Sequence, residues 1–174
     1  MEALAKDLFN IQLLLESGGA VLWVILIASV IMWTMIIERY FFMYFVYPSH
    51  IKKSLTIWQA RSDRQSWYAH QIRQGLIAES SISLKQNLMS IRTLIAALPM
   101  LGLLGTVDGM IQTFDVLTVF GTGNARGMAG GISVALITTM GGLLAALSGM
   151  YFSTQLEQQV RRAEDALADI LRRD

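Results

Sequence analysis

Three stretches of the chain stay apolar long enough to cross a bilayer, and polar, charged segments separate them. From Ser17 to Ile37 there is no charged residue, a helical length that crosses the ~30 Å hydrocarbon core of a membrane. A second apolar run extends from Thr93 to Val119, interrupted only by Asp108 and Asp115. The third is free of charge from Gly127 to Leu156. At ~1.5 Å per residue the third run would measure ~45 Å, so its last turns are predicted to leave the bilayer and merge with the helix that follows. The pattern predicts an all-α integral membrane protein with three transmembrane helices, the second and third long and extending into the cytoplasm.

The segments between the runs complete the organisation. Residues 1–16 place Leu4, Leu8, Ile11 and Leu15 at helical spacing against Glu2, Asp7 and Glu16, predicting an amphipathic helix along the outer interface. The first transmembrane helix is predicted over 17–47, with Trp23, Trp33, Tyr40, Tyr44 and Tyr47 as interface anchors. A removable secretory signal does not fit this start, because acidic residues outnumber Lys6 ahead of the apolar run and no small-residue cleavage site follows. Residues 48–92 read as a cytoplasmic helical segment, with Ile51, Leu55 and Trp58 on one face and a weak serine-rich break at Ser80, Ser81 and Ser83. Leu84, Leu88 and Ile91 then continue without interruption into the second transmembrane helix, 93–119, predicting one long helix. A loop at 120–126, the third transmembrane helix at 127–156 and a C-terminal helix at 157–174 follow.

Charge fixes the topology. Of fourteen lysines and arginines, all but Lys6 and Arg126 fall in or beside the middle segment and the tail. The positive-inside rule therefore places those segments in the cytoplasm and the N-terminus outside.

The second and third runs are rich in small residues. Gly105 and Gly109 are four apart, as are Gly127, Gly131, Ala135 and Thr139, and again Gly141, Ala145 and Gly149. Such spacing lets helix backbones approach closely in a membrane, and it predicts packing against copies of the chain or a partner.

Composition narrows the chemistry. Hydrophobic residues make up 53% of the 174 and charged ones 16%, too apolar a balance for an ordinary soluble domain. The absence of cysteine excludes disulfides, thiolate metal sites and cysteine nucleophiles. The two histidines, His50 and His70, stand twenty residues apart without a metal-ligand pattern. The G-T-G of residues 121–123 has neither a preceding strand nor a following Lys-Ser/Thr, so it does not read as a phosphate loop. The middle segment's basic residues are explained by topology and suit lipid headgroups rather than nucleic acid. No catalytic residue, metal or cofactor is predicted, and the chain does not read as an enzyme.

Polar positions in the spans are the remaining candidates. Thr106 and Thr113 lie on one face of the second span; Thr139, Gly142, Ala146, Gly149 and Ser153 share a face of the third. These faces read either as the wall of a narrow conduit or as close packing in which threonine hydroxyls return to their own helix. Asp108, Gln112 and Asp115 form a separate i, i+4, i+7 stripe. A carboxylate at the centre of a spanning helix costs about 2.5–3.5 kcal/mol on insertion scales, so Asp108 and Asp115 read either as ion-coupled groups or as part of a hydrated outer mouth.

The run L-G-L-L-G-T-V-D-G-M-I at 101–111, then G-I-S-V-A-L-I-T-T at 131–139 and Glu38-Arg39-Tyr40 at the end of the first span, resembles the signature of the MotA/TolQ/ExbB proton-channel family. Three spans with a short cytoplasmic segment are similar to ExbB and TolQ rather than to four-span MotA. The resemblance implies a bacterial inner-membrane protein, with a periplasmic N-terminus and a cytoplasmic C-terminus. It implies a homo-oligomer, a pentamer, around an ExbD-like partner whose membrane aspartate carries protons. Its implied function is to use the proton motive force to energise transport across the outer membrane through a TonB-like transducer, or a TolQ-type role in envelope maintenance. A non-conducting membrane scaffold is the reading from another class. Thr106 and Thr139 match the threonines that the family sets against the partner's aspartate. Val134 stands where the family often has glutamate, and Asp108 stands where it usually has no acid.

Overall fold

The structure is a computed structural model that describes residues 18–47, 51, 56, 66–121 and 124–173. The predicted helix at 1–16 and the helical face built on Leu55 and Trp58 lie outside the described residues. Everything regular among the described residues is helical. Helix α1 spans Gly19–Phe41 and passes into a π-helical turn, Phe42–Val46. Helix α2 covers Trp67–Lys85, α3 Leu88–Phe120 and α4 Ala125–Arg173. Three helical stretches are long and apolar enough to cross a membrane: Gly19–Val46, His70–Phe120 and Ala125–Ile170.

The ends of these helices have local causes. Gly19 has φ +65°, a left-handed conformation that glycine adopts without the Cβ clash other residues suffer. The side-chain oxygen of Asn124 accepts from the Gly127 N–H at 3.1 Å, capping the first turn of α4. From there α4 runs 49 residues. Pro99 lies inside α3, where it removes the bond to the carbonyl four residues earlier.

One expectation needs correction. The chain does not rise as a single helix into the second span, nor does it break at the serines. It breaks at Gln86–Asn87, with Asn87 at φ +65°. Asparagine tolerates this left-handed geometry, the usual way of closing a helix. The serines stay helical, and the hydroxyl of Ser81 donates to Glu164.

The chain forms two compact units. One joins the residues up to Trp33 with Thr93–Met150. Its buried positions recur at three- and four-residue spacing: Ile95, Leu98, Gly102, Gly105, Gly109 and Thr113 on α3, and Gly131, Ala135, Thr138, Gly142, Ala146 and Gly149 on α4. These are the seams of two antiparallel helices. Ile25 and Met32 of α1 complete the core.

The other unit joins Thr34–Arg92 with the chain from Tyr151 onward. Ile36, Leu84, Leu88, Ile91, Leu156 and Val160 are among its buried side chains, and Leu167 packs with Ile51, Leu76 and Ile77. Bulky residues fill this core where glycines filled the other. Its rim is polar: Lys85 pairs with Glu164 at 2.9 Å, and Arg92 pairs with Glu157.

Candidate functional site

The two stretches that carry the sequence motifs meet along the α3–α4 seam. At its tightest point a Cβ on Gly109 would stand 2.5 Å from the Gly131 carbonyl oxygen, and one on Gly131 would stand 2.6 Å from the Gly109 oxygen. A Cβ on Gly142 would meet the Leu98 oxygen at 2.6 Å. Only glycine permits such backbone contact. The other small positions also find neighbours inside the chain: Gly105 faces Thr138, Gly127 faces Val116, Gly141 faces Leu22 and Gly149 faces Met32. The small faces expected to pack against copies of the chain or a partner thus meet neighbours within one protomer. Four-residue spacing encodes close approach, but not which helix approaches.

Hydroxyls line the seam, and that of Thr139 crosses it. Thr113 is 4% exposed and donates to the Gly109 carbonyl at 2.9 Å. Thr138 is fully buried and donates within its own helix, to the Val134 and Ala135 carbonyls. Thr139 differs, because its hydroxyl reaches both Ala135 O on α4 at 3.0 Å and Gly102 O on α3 at 3.2 Å. A hydroxyl has one proton to give, so this one is shared between the two helices. Thr106 is half-buried and donates to Leu103 O at 2.6 Å. Of the positions expected to line a conduit, Thr113, Gly142 and Ala146 are therefore buried inside the protomer, while Thr106 and Thr139 stand at its edge.

The polar stripe lies off the buried face of the seam, with Asp108 at its rim. Asp108 is half-buried and Gln112 and Asp115 are exposed; the Gln112 amide donates to the Asp108 carboxylate at 3.0 Å. Gln112 also lines a cleft of about 410 Å³ with Val116, Gly127, Gly130, Gly131, Ser133 and Val134. Among the described residues Arg126 forms no ion pair with Asp115, and both are exposed. Between Ala20 and Ile31, by contrast, every exposed side chain of α1 is apolar, from Trp23 to Ile31.

Sequence reasoning counted Arg39 only as a charge and a motif letter, and missed its role in the second unit. It is 3% exposed; its guanidinium donates to the carbonyls of Ser83 and Leu84, the latter at 2.7 Å, and lies over the Phe42 ring at 4.7 Å. Those carbonyls belong to the last turn of α2, where helix acceptors have no partners of their own. The π turn after Arg39 shifts the register so that the buried Tyr47 donates its hydroxyl to Ala163 O at 3.1 Å. The signal was legible in principle. Arg39 falls three residues after Ile36 and seven after Met32, on the buried face of α1 rather than on its flank.

The profile of the MotA/TolQ/ExbB proton channel family matches residues 48–169. Two Synechocystis sp. proteins named as ExbB-like biopolymer transport proteins are similar: ExbB-like 3 is 41% identical over 64 residues (36% of this chain, 30% of that protein), and ExbB-like 1 is 48% identical over 60 (33% and 24%). An ExbB homolog of Methanothermobacter thermautotrophicus is 38% identical over 86 residues, 47% of this chain and 30% of its own. The matched stretches thus span about a quarter to a third of these relatives. With three membrane-crossing helices and a family match over most of its length, the chain is a multi-pass membrane protein that belongs to the MotA/TolQ/ExbB proton channel family, close to ExbB.

Proposed function

We propose that the protein is the proton-channel subunit of an ExbB-type motor in a bacterial inner membrane. It assembles as a pentamer around an ExbD-like partner and uses the proton motive force to energise TonB-dependent transport across the outer membrane. The observation that carries this reading is the sorting of exposed polar groups. In the first unit α1 presents only apolar side chains over Ala20–Ile31, whereas α3 and α4 present Gln112, Asp115 and Ser133. Unsatisfied polar groups facing hydrocarbon are costly. The α3–α4 face therefore belongs against protein or water, and α1 against lipid. Lys and Arg asymmetry orients the N-terminus to the periplasm and the tail to the cytoplasm. The energy scale is sufficient, since one charge crossing 100 mV releases ~2.3 kcal/mol.

Thr139 marks the path in this proposal, with Thr106 facing the same partner carboxylate. The test is proton flux into vesicles containing the complete complex. Thr139→Val keeps the shape of the side chain and removes the hydroxyl. Losing one hydrogen bond of ~1 kcal/mol in the conducting state slows passage about fivefold, with the assembly's mass unchanged. Thr118→Val, at an exposed position that bonds only its own helix at Asp115 O, serves as control. Flux equal to wild type in the Thr139 variant would return that hydroxyl to a purely structural role. Absence of flux from the intact wild-type complex would leave the scaffold reading. Growth on TonB-dependent substrates, set against envelope integrity, distinguishes the TonB-type from the TolQ-type role.

A further inference from the structure

One carboxylate stands at the rim of the α3–α4 seam. Asp108 immediately precedes Gly109, whose backbone meets Gly131, so its side chain is half-buried beside the tightest contact of the two helices. Across the seam, Val134 also approaches Gly19, the first residue of α1, at 3.8 Å from that residue's Cβ position. Asp108 is therefore level with the point where α1 begins. It lies twelve residues, ~18 Å, along α3 from the helix end at Phe120.

Three features surround the carboxylate. Gln112 donates to it at 3.0 Å. The same glutamine lines the open cleft of about 410 Å³ with Gly130, Ser133 and Val134, which gives water a way in. The other charged residues among the described positions of this unit are Asp115 on the same helix and Arg126 at the start of α4, both exposed. The described part of α1 up to Trp33 contributes none. Among the described residues no cation pairs with Asp108. Without a fixed counter-charge among the described residues, and beside a cleft roomy enough to hold water, a proton can both arrive and leave.

We propose that Asp108, oriented by Gln112, is the proton-collecting group at the mouth of the channel. Its carboxylate takes a proton from hydronium and leaves water. The resulting acid releases that proton to water in the cleft beside Gln112, which regenerates the Asp108 anion and raises the local supply of protons to the path. This assignment rests on the channel function proposed above.

The test is proton flux through the complete complex in vesicles of neutral phospholipid containing a pH-sensitive dye. A single carboxylate that concentrates protons at a mouth raises their capture at the low end of the range for electrostatic focusing, so Asp108→Asn lowers flux about five- to tenfold with the complex's mass unchanged. Asp108→Glu retains flux, and imidazole added as a mobile proton carrier restores the Asn variant. Flux in Asp108→Asn equal to wild type overturns the proposal. So does complete loss that imidazole leaves untouched, which would make Asp108 an obligatory relay instead. Should the wild-type complex carry no flux, the channel reading fails, and infrared difference spectra of the isolated protein still decide Asp108. A carboxylic band that follows bulk pH and vanishes in Asp108→Asn supports exchange with water; its absence overturns it.

Discussion

Replacing Gly131 by leucine is expected to destabilise the fold of a single chain, and not only to separate assembled copies. A Cβ there would sit 2.6 Å from the Gly109 carbonyl oxygen and against Thr113. Backbone atoms have no rotamer by which to retreat, so the helices must part along their length. Overpacking of this kind costs ~3 kcal/mol or more, a large share of the ~5–15 kcal/mol that holds a typical domain. Gly130 is the neighbouring control, because a Cβ at that position meets nothing within 4 Å. Gly131→Leu should lower the thermal midpoint of the purified protomer steeply and cut its yield, while Gly130→Leu leaves both near wild type. Native mass measurement of the Gly130 variant then reports on assembly alone. Wild-type stability in Gly131→Leu would show that the seam does not close within one chain.

The second large effect is expected at Arg39. Arg39→Met keeps the length and apolar stem of the side chain but strips two donors from the Ser83 and Leu84 carbonyls. Leaving buried acceptors without partners costs ~1–3 kcal/mol apiece, so the last turn of α2 should loosen by about 2–6 kcal/mol. Hydrogen exchange should rise across the C-terminal half of Trp67–Lys85 while amides flanking Gly109 and Gly131 stay protected. Arg39→Lys should recover only part of the loss, because the lysine side chain ends one atom short of the guanidinium nitrogen that serves both carbonyls, and an ammonium lacks the flat face that lies over Phe42. Unchanged exchange in Arg39→Met would mean that α2 is held by its apolar contacts alone.

The three membrane-crossing helices were legible because uninterrupted apolar length is a property of the chain itself. So was close packing, since glycine at four-residue spacing has few other uses in a spanning helix. The partner of each small face was not legible. Gly105, Gly109 and Gly131 announce contact equally well whether the other helix belongs to the same chain or to a copy, and only tertiary register places Gly109 opposite Gly131. The break before α3 was misplaced for a related reason. Serines at 80–83 have lower helix preference, but tertiary partners override propensity, and one asparagine in a left-handed conformation ends the helix instead. Thr113 and Thr139 looked alike in the sequence. Burial separates them, leaving Thr113 closed inside and Thr139 shared between two helices. Arg39 was the largest omission, because an arginine at the end of a span reads first as a topology signal.

The glycine seam has a mechanical consequence. Where backbone lies on backbone there are few side chains to switch rotamer and no gap into which a neighbour can shift, so the contact has in effect two conditions, closed or broken. Side-chain cores yield by small repacking; this one does not. Strain applied to the membrane unit is therefore carried across the α3–α4 contact rather than absorbed there, and the hairpin behaves as a wedge that tilts or slides whole. In the motor proposed above, compliance has to come from the outward faces, where Met100, Leu103, Leu136 and Met140 offer soft, exchangeable surfaces.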